Sequence, residues 1–151
     1  GHLALSLLLA LREAAVPMPA GAALVSPWLD LAATGGSYAR NADADYGSRE
    51  MLLAQAQAFA GSLPLEDPRI SPGLADPKGL PPLYVQCGGA ELLYDECVAF
   101  ASKARAAGVD VTLDVLREMP HAAPLFADVV AEGARGRLDV ARFVRARLAV
   151  G

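Results

Sequence analysis

Basic charge is in short supply. Thirteen lysines and arginines stand against seventeen aspartates and glutamates, a formal net charge of −4, so no basic surplus exists to neutralise phosphates, and nucleic acid is not an expected partner. Cysteine is scarcer still. Cys87 and Cys97 are the only two, too few for a disulfide framework, and no CxxC pair or Cys/His cluster offers zinc-ligand spacing. No metal site is expected, and a reducing, cytoplasmic setting suits this cysteine usage. The most apolar stretch, Leu3 to Leu11, falls far below the roughly 20 residues that a helix needs to cross a bilayer. It has the length of a signal-peptide core, but no Lys or Arg precedes it, and Arg12-Glu13 continues it as an amphipathic helix would. No association with a membrane is expected. Internal repeats and low-complexity tracts are also lacking.

What is present is apolar: 54% of the 151 residues are hydrophobic, enough to bury one core, and the whole chain, 1–151, reads as one domain. Helical spacing runs from about Leu3 to Ala15 until Pro17 and Pro19 stop it. Ala22 to Trp28 is a short apolar run bounded by Gly21 and Pro27, the pattern of a strand buried on both faces. Asp30 to Tyr46 is polar loop, and Ser48 caps a helix to about Ala60. Ser62 to Pro82 carries six prolines and two glycines. Loops that long usually serve as lids, binding loops or linkers, so the stretch from about 32 to 82 reads as a lid-like insert.

Leu83 to Cys87 predicts a second buried strand, Leu92 to Ala107 a helix ended by Gly108, and Asp110 to Leu116 a third strand. After the Met119-Pro120-His121 turn, helices are expected at about Ala123 to Glu132 and Arg137 to Ala149. Strands alternating with helices predict an α/β fold with a doubly wound, mainly parallel sheet. Three strands are few for that class, and no strand precedes the first helix, so the rest of the sheet is expected upstream of Gly1.

In open parallel sheets ligands sit beyond the carboxyl ends of the strands. Glu91 stands four residues past Cys87, after Gly88-Gly89, and His121 five residues past Leu116. Such a carboxylate and imidazole can pair, the acid orienting the base that takes a proton from a nucleophile. The plainer account is a helix N-terminal acid favoured by the dipole and an ordinary loop histidine. Trp28, Leu125 and Phe126 are candidates to line an acyl pocket, although core packing explains each of them as well.

Gly1-His2-Leu3-Ala4-Leu5, Ser26-Pro27-Trp28-Leu29-Asp30-Leu31, Gly88-Gly89-Ala90-Glu91-Leu92-Leu93 with Asp95-Glu96, and Met119-Pro120-His121 with Leu125-Phe126 occur in that order. Together they resemble the bacterial hormone-sensitive-lipase-like esterases, of α/β-hydrolase fold. The resemblance implies His121 as catalytic histidine and Glu91 in the place of the triad aspartate, with Asp95, one helical turn on, as fallback acid. It implies a serine carboxylesterase acting on short-chain acyl esters, no cofactor or metal, and a homodimer through the strand Asp110–Leu116. His2 receives no catalytic role.

The family's nucleophile elbow falls just before Gly1, so the resemblance leaves this chain with no nucleophile and no oxyanion hole of its own. Ser37, in Gly35-Gly36-Ser37-Tyr38-Ala39, lacks the strand-to-helix setting of an elbow, and Cys87 ends an apolar strand as an inert packing residue. The chain alone is therefore expected to be inactive. The competing reading is a non-catalytic α/β module that binds a partner or dimerises through an exposed sheet edge.

Overall fold

The computed structural model describes residues 1–149. Helix α1 (His2–Glu13) leads through Ala15, at φ 53°, into strand β1 (Ala22–Val25). Short helix α2 (Ser37–Arg40) and helix α3 (Arg49–Ala60) follow. Strand β2 (Leu83–Gly88), helix α4 (Tyr94–Ala106), strand β3 (Val111–Leu116) and helix α5 (Ala131–Leu148) complete the order. The three strands form one parallel sheet in the order β1-β2-β3, with Ala22 beside Leu83 and Leu83 beside Val111. The expected α/β class and parallel sheet are thus found.

Alternation along β2 sorts its side chains between two faces. Leu83, Val85 and Cys87 join Leu5, Leu8 and Leu9 of α1 and Cys97, Phe100, Ala101 and Ala104 of α4 in the main core. Tyr84 and Gln86 face α5 instead: the Tyr84 and Phe143 rings lie 5.5 Å apart, and Gln86 Nε2 donates to the Gly136 carbonyl at 3.1 Å. Helices therefore cover both faces. That is why β2 is buried at all six positions and reads as a continuous apolar run.

Ser48 Oγ accepts from the Met51 amide at 3.2 Å, capping α3 as expected, and Gly108, at φ 85°, follows α4. Of the two expected C-terminal helices, the one at Arg137 to Ala149 is found as the larger part of α5, and the one at Ala123 to Glu132 is not. Pro124 opens a short 3-10 turn over Ala123–Phe126, and α5 then runs unbroken through Gly133 and Gly136. Both glycines are contact points rather than breaks: a Cβ at Gly133 would stand 2.6 Å from the Ala123 carbonyl oxygen, and one at Gly136 2.7 Å from Leu116 Cδ1.

The 32–82 segment is folded against the body over a small core of Leu31, Ala56, Ala60 and Ile70, with Trp28 packed on it. Ser71 Oγ accepts from the Leu31 amide at 2.7 Å and donates to the Leu65 carbonyl at 2.6 Å, fastening the proline-rich stretch to the chain leaving β1. Among the described residues no helix is long and apolar enough to cross a membrane.

Candidate active site

Three turns meet at the carboxyl edge of the sheet: Ser26-Pro27 after β1, Gly89 to Leu93 after β2, and Arg117 to Ala122 after β3. Their approach is close. A Cβ at Gly88 would stand 2.1 Å from the Met119 carbonyl oxygen, so only glycine lets the third turn cross here. The Gly89 and Ala90 amides donate to the Leu116 and Met119 carbonyls at 2.8 and 3.0 Å. Glu91 and His121 are thereby brought to one edge.

Glu91 is fully buried. Its Oε2 accepts from Ser26 Oγ at 2.6 Å and from the Gly88 amide at 2.9 Å, while Oε1 stands 4.0 Å from Cys97 Sγ. Burial pushes its pKa up to about 7 against the pull of the two donors, and the negative charge of Asp45 adds to the rise. His121 is half-buried. Burial lowers its pKa, and Asp45 opposes that by favouring the imidazolium. Among the described residues no hydrogen bond joins the imidazole to the Glu91 carboxylate; the acid is turned toward Ser26 instead.

Asp45 is the residue that the sequence did not single out. Its Oδ1 accepts from the His121 amide at 3.1 Å and its Oδ2 from the Leu92 amide at 2.8 Å. One carboxylate thus clamps the two turns that carry the candidate acid and base. Next to it, Tyr46 Oη donates to the His121 carbonyl at 3.1 Å, and its ring meets the imidazole edge-to-face at 5.9 Å. Asn41 Nδ2 donates to the Glu91 carbonyl at 2.8 Å. All three lie in the polar stretch read as loop. Only their density of Asn, Asp and Tyr distinguishes it, and nothing in their spacing reveals that they reach strand ends 47 or more residues away.

Beside His121 lies a cavity of about 210 Å³, walled by Asp45, Tyr46, Met51, Leu52, Leu92 and Leu93 among others. None of the three residues expected to line an acyl pocket reaches it. Trp28 packs between the two cores, with its indole nitrogen buried and without a partner among the described residues. Leu125 is 79% exposed because the 3-10 turn points it outward, and Phe126 on the same turn is half-buried. Asp95 is engaged elsewhere: its Oδ1 accepts from Arg40 at 2.6 Å and its Oδ2 from the Ser37 amide at 2.8 Å.

Ser37 is buried, donating to the Leu92 carbonyl at 2.6 Å and accepting from the Asp95 amide at 3.2 Å. It opens α2 and fastens it to α4, inside the stretch expected to be polar loop. Cys87 and Cys97 are both buried, and the contact with Cys87, burial, and the carboxylates of Glu91 and Glu96 hold the Cys97 thiol well above its ordinary pKa.

A second cavity of about 240 Å³, bounded by Asp30, Asp95, Glu96 and Phe100, shares no lining residue with the first. Its innermost carboxylate is already satisfied. Glu96 accepts from the Leu29 amide at 2.6 Å and from Tyr38 Oη at 2.9 Å, and burial pushes its pKa up to about 8.

The family model that matches residues 1–125 is described as the alpha/beta hydrolase fold. The chain belongs to that family. It is 37% identical over 150 residues to an acetyl-hydrolase of Streptomyces hygroscopicus, an alignment covering 95% of this chain and 48% of that protein. It is 35% identical over 144 residues to an esterase of Acinetobacter venetianus, covering 94% and 48%. A solved esterase of the bacterial hormone-sensitive lipase family superposes with a TM-score of 0.91 at 39% identity, covering 95% of this chain and 48% of that one. The chain therefore spans about half the length of the α/β-hydrolases it matches. The resemblance to hormonesensitive-lipase-like esterases stands.

Proposed function

We propose that this chain supplies the acid and the base of a serine carboxylesterase, Glu91 and His121, and that the nucleophilic serine and oxyanion hole come from a segment upstream of Gly1. What supports this reading most directly is the meeting of Glu91, Ser26, Asp45 and His121 at the carboxyl edge of the sheet, beside a largely apolar cavity. In the completed site the serine hydroxyl attacks the ester carbonyl while His121 takes its proton. His121 then returns that proton to the leaving alcohol, and water releases the acyl group by the same route reversed. Glu91, turned toward Ser26 in this chain, is the carboxylate assigned to steady the imidazolium that forms in each half. The lowered pKa of His121 keeps the imidazole neutral, and therefore able to accept a proton, at neutral pH. The description of one relative as an acetyl-hydrolase supports a short acyl group, which a cavity of about 210 Å³ would accommodate.

Hydrolysis of a short-chain chromogenic ester tests this reading, with a longer form carrying an upstream Gly-x-Ser-x-Gly turn measured beside the 151-residue chain. The shorter chain is expected to be inactive and the longer form active, with His121→Ala reducing its kcat on the order of 10³-fold or more. A longer form that keeps its rate without His121 refutes the assignment. One observation favours a second reading, a non-catalytic association module: β1 pairs only with β2 among the described residues, and Leu3 and Leu7 on α1 are 70% and 58% exposed.

A further inference from the structure

The turn that leaves β1 carries a hydroxyl between the two candidate groups. Ser26 follows β1 directly, and its φ of 42° lies in the left-handed region that favours glycine. Its amide donates to the Gln86 carbonyl at 2.7 Å, which fixes the turn against β2. Its Oγ accepts from the Ala122 amide at 2.9 Å and donates to Glu91 Oε2 at 2.6 Å. An amide can only donate, and a hydroxyl has one hydrogen. With Glu91 ionised the direction of the chain is fixed: Ala122 N–H to Ser26 O–H to Glu91 carboxylate. Ala122 is the residue after His121 and is itself left-handed, at φ 53°. Two non-glycine residues in disfavoured backbone thus face each other across a single hydroxyl, and such strain persists where its surroundings hold it for a purpose.

We propose that Ser26 is a positioning residue of this site, whose hydroxyl ties the Glu91 carboxylate to the backbone of the His121 turn so that one side chain sets the placement of both acid and base. The proposal rests on the reading of Glu91 and His121 given above. A serine kept only to close a turn in the left-handed region would be replaceable by glycine, which adopts that backbone freely. A serine kept for its hydroxyl would not.

Ser26→Gly and Ser26→Ala in the 151-residue chain separate the two roles. The Glu91 carboxyl is titrated by carbon NMR, and exchange of the Ala122 amide is followed in parallel. Loss of a hydrogen bond to the charged carboxylate should raise the Glu91 midpoint by about one unit in both variants. The Ala122 amide should exchange about tenfold faster, while Ser26→Gly melts no lower than Ser26→Ala. Asp45, Tyr46 and Cys97, the other titratable groups facing this carboxyl, are unchanged in either variant.

The unmutated chain gives an independent reading. Its Ala122 amide resonance should show a step at the Glu91 midpoint that Glu91→Gln abolishes. An unmoved Glu91 midpoint in the variants, or an Ala122 resonance without that step, overturns the proposal. The titration reads the link alone and the His121→Ala rate ratio reads the esterase assignment, so either can fail without the other.

Discussion

Two buried glutamates put a sign on the pH dependence of this protein. Glu91 and Glu96 have pKa values raised by burial from 4.5 to about 7 and about 8. A carboxyl whose folded pKa lies above its unfolded value contributes stability that is fully present below the unfolded value. That contribution is lost as pH rises through the folded one. Melting temperature is therefore expected to fall between about pH 4.5 and 8, with Glu91 alone contributing on the order of 3 kcal/mol at about 1.4 kcal/mol per unit. Glu91→Gln, which keeps an acceptor for Ser26 and Gly88, should flatten the lower part of that slope; a slope unchanged in this variant contradicts the assignment. Asp45 permits a second test on one residue. Its carboxylate favours the His121 imidazolium, so Asp45→Asn is expected to lower the His121 midpoint further below 6.5, as read from the imidazole proton resonances. A midpoint that stays or rises would mean that the clamp on the His121 amide matters sterically and not through charge.

The tight crossings at element scale are set by glycine. In an exposed helix Gly→Ala stabilises by about 1 kcal/mol. In α5 the opposite is expected: Gly133→Ala brings a Cβ to 2.6 Å from the Ala123 carbonyl and should cost about 1–3 kcal/mol in denaturant unfolding. A gain in stability would show that α5 can move away from the 3-10 turn. The same glycines explain where the sequence misled. Two helices were expected where α5 runs unbroken through Gly133 and Gly136; glycine weakens an isolated helix, whereas here packing against Ala123 and Leu116 outweighs that weakness. Strands were easier to read: the apolar run at Leu83 follows from burial at all six positions of β2, the short run at Ala22 lies beside it, and Val111–Leu116 alternates as a partly exposed edge strand does. Glu91 and His121 were legible because strand ends define where ligands bind. Asp45, Ser26 and Tyr46 were not, because their partners are distant in the chain and no period connects them.

At the scale of the whole molecule, the sheet has two open edges among the described residues, since β1 and β3 each pair only with β2. Unpaired strand edges invite pairing with another chain. The β1 edge is the more exposed to association, because Leu3 and Leu7, one helical turn apart on the α1 that packs beside it, stand 70% and 58% exposed. Homodimerisation through β3, Val111–Leu116, is the competing proposal. The two edges make different predictions for light scattering. If β1 and α1 carry the association, Leu3→Lys with Leu7→Lys should shift the 151-residue chain toward monomer, while Thr112→Lys on β3 changes little. If β3 is the interface, the pattern reverses, because a lysine there blunts that edge. A chain that is monomeric with a sharp cooperative melt before any substitution would exclude both, and would mean that three strands and their helices bury enough surface to leave their edges unpaired.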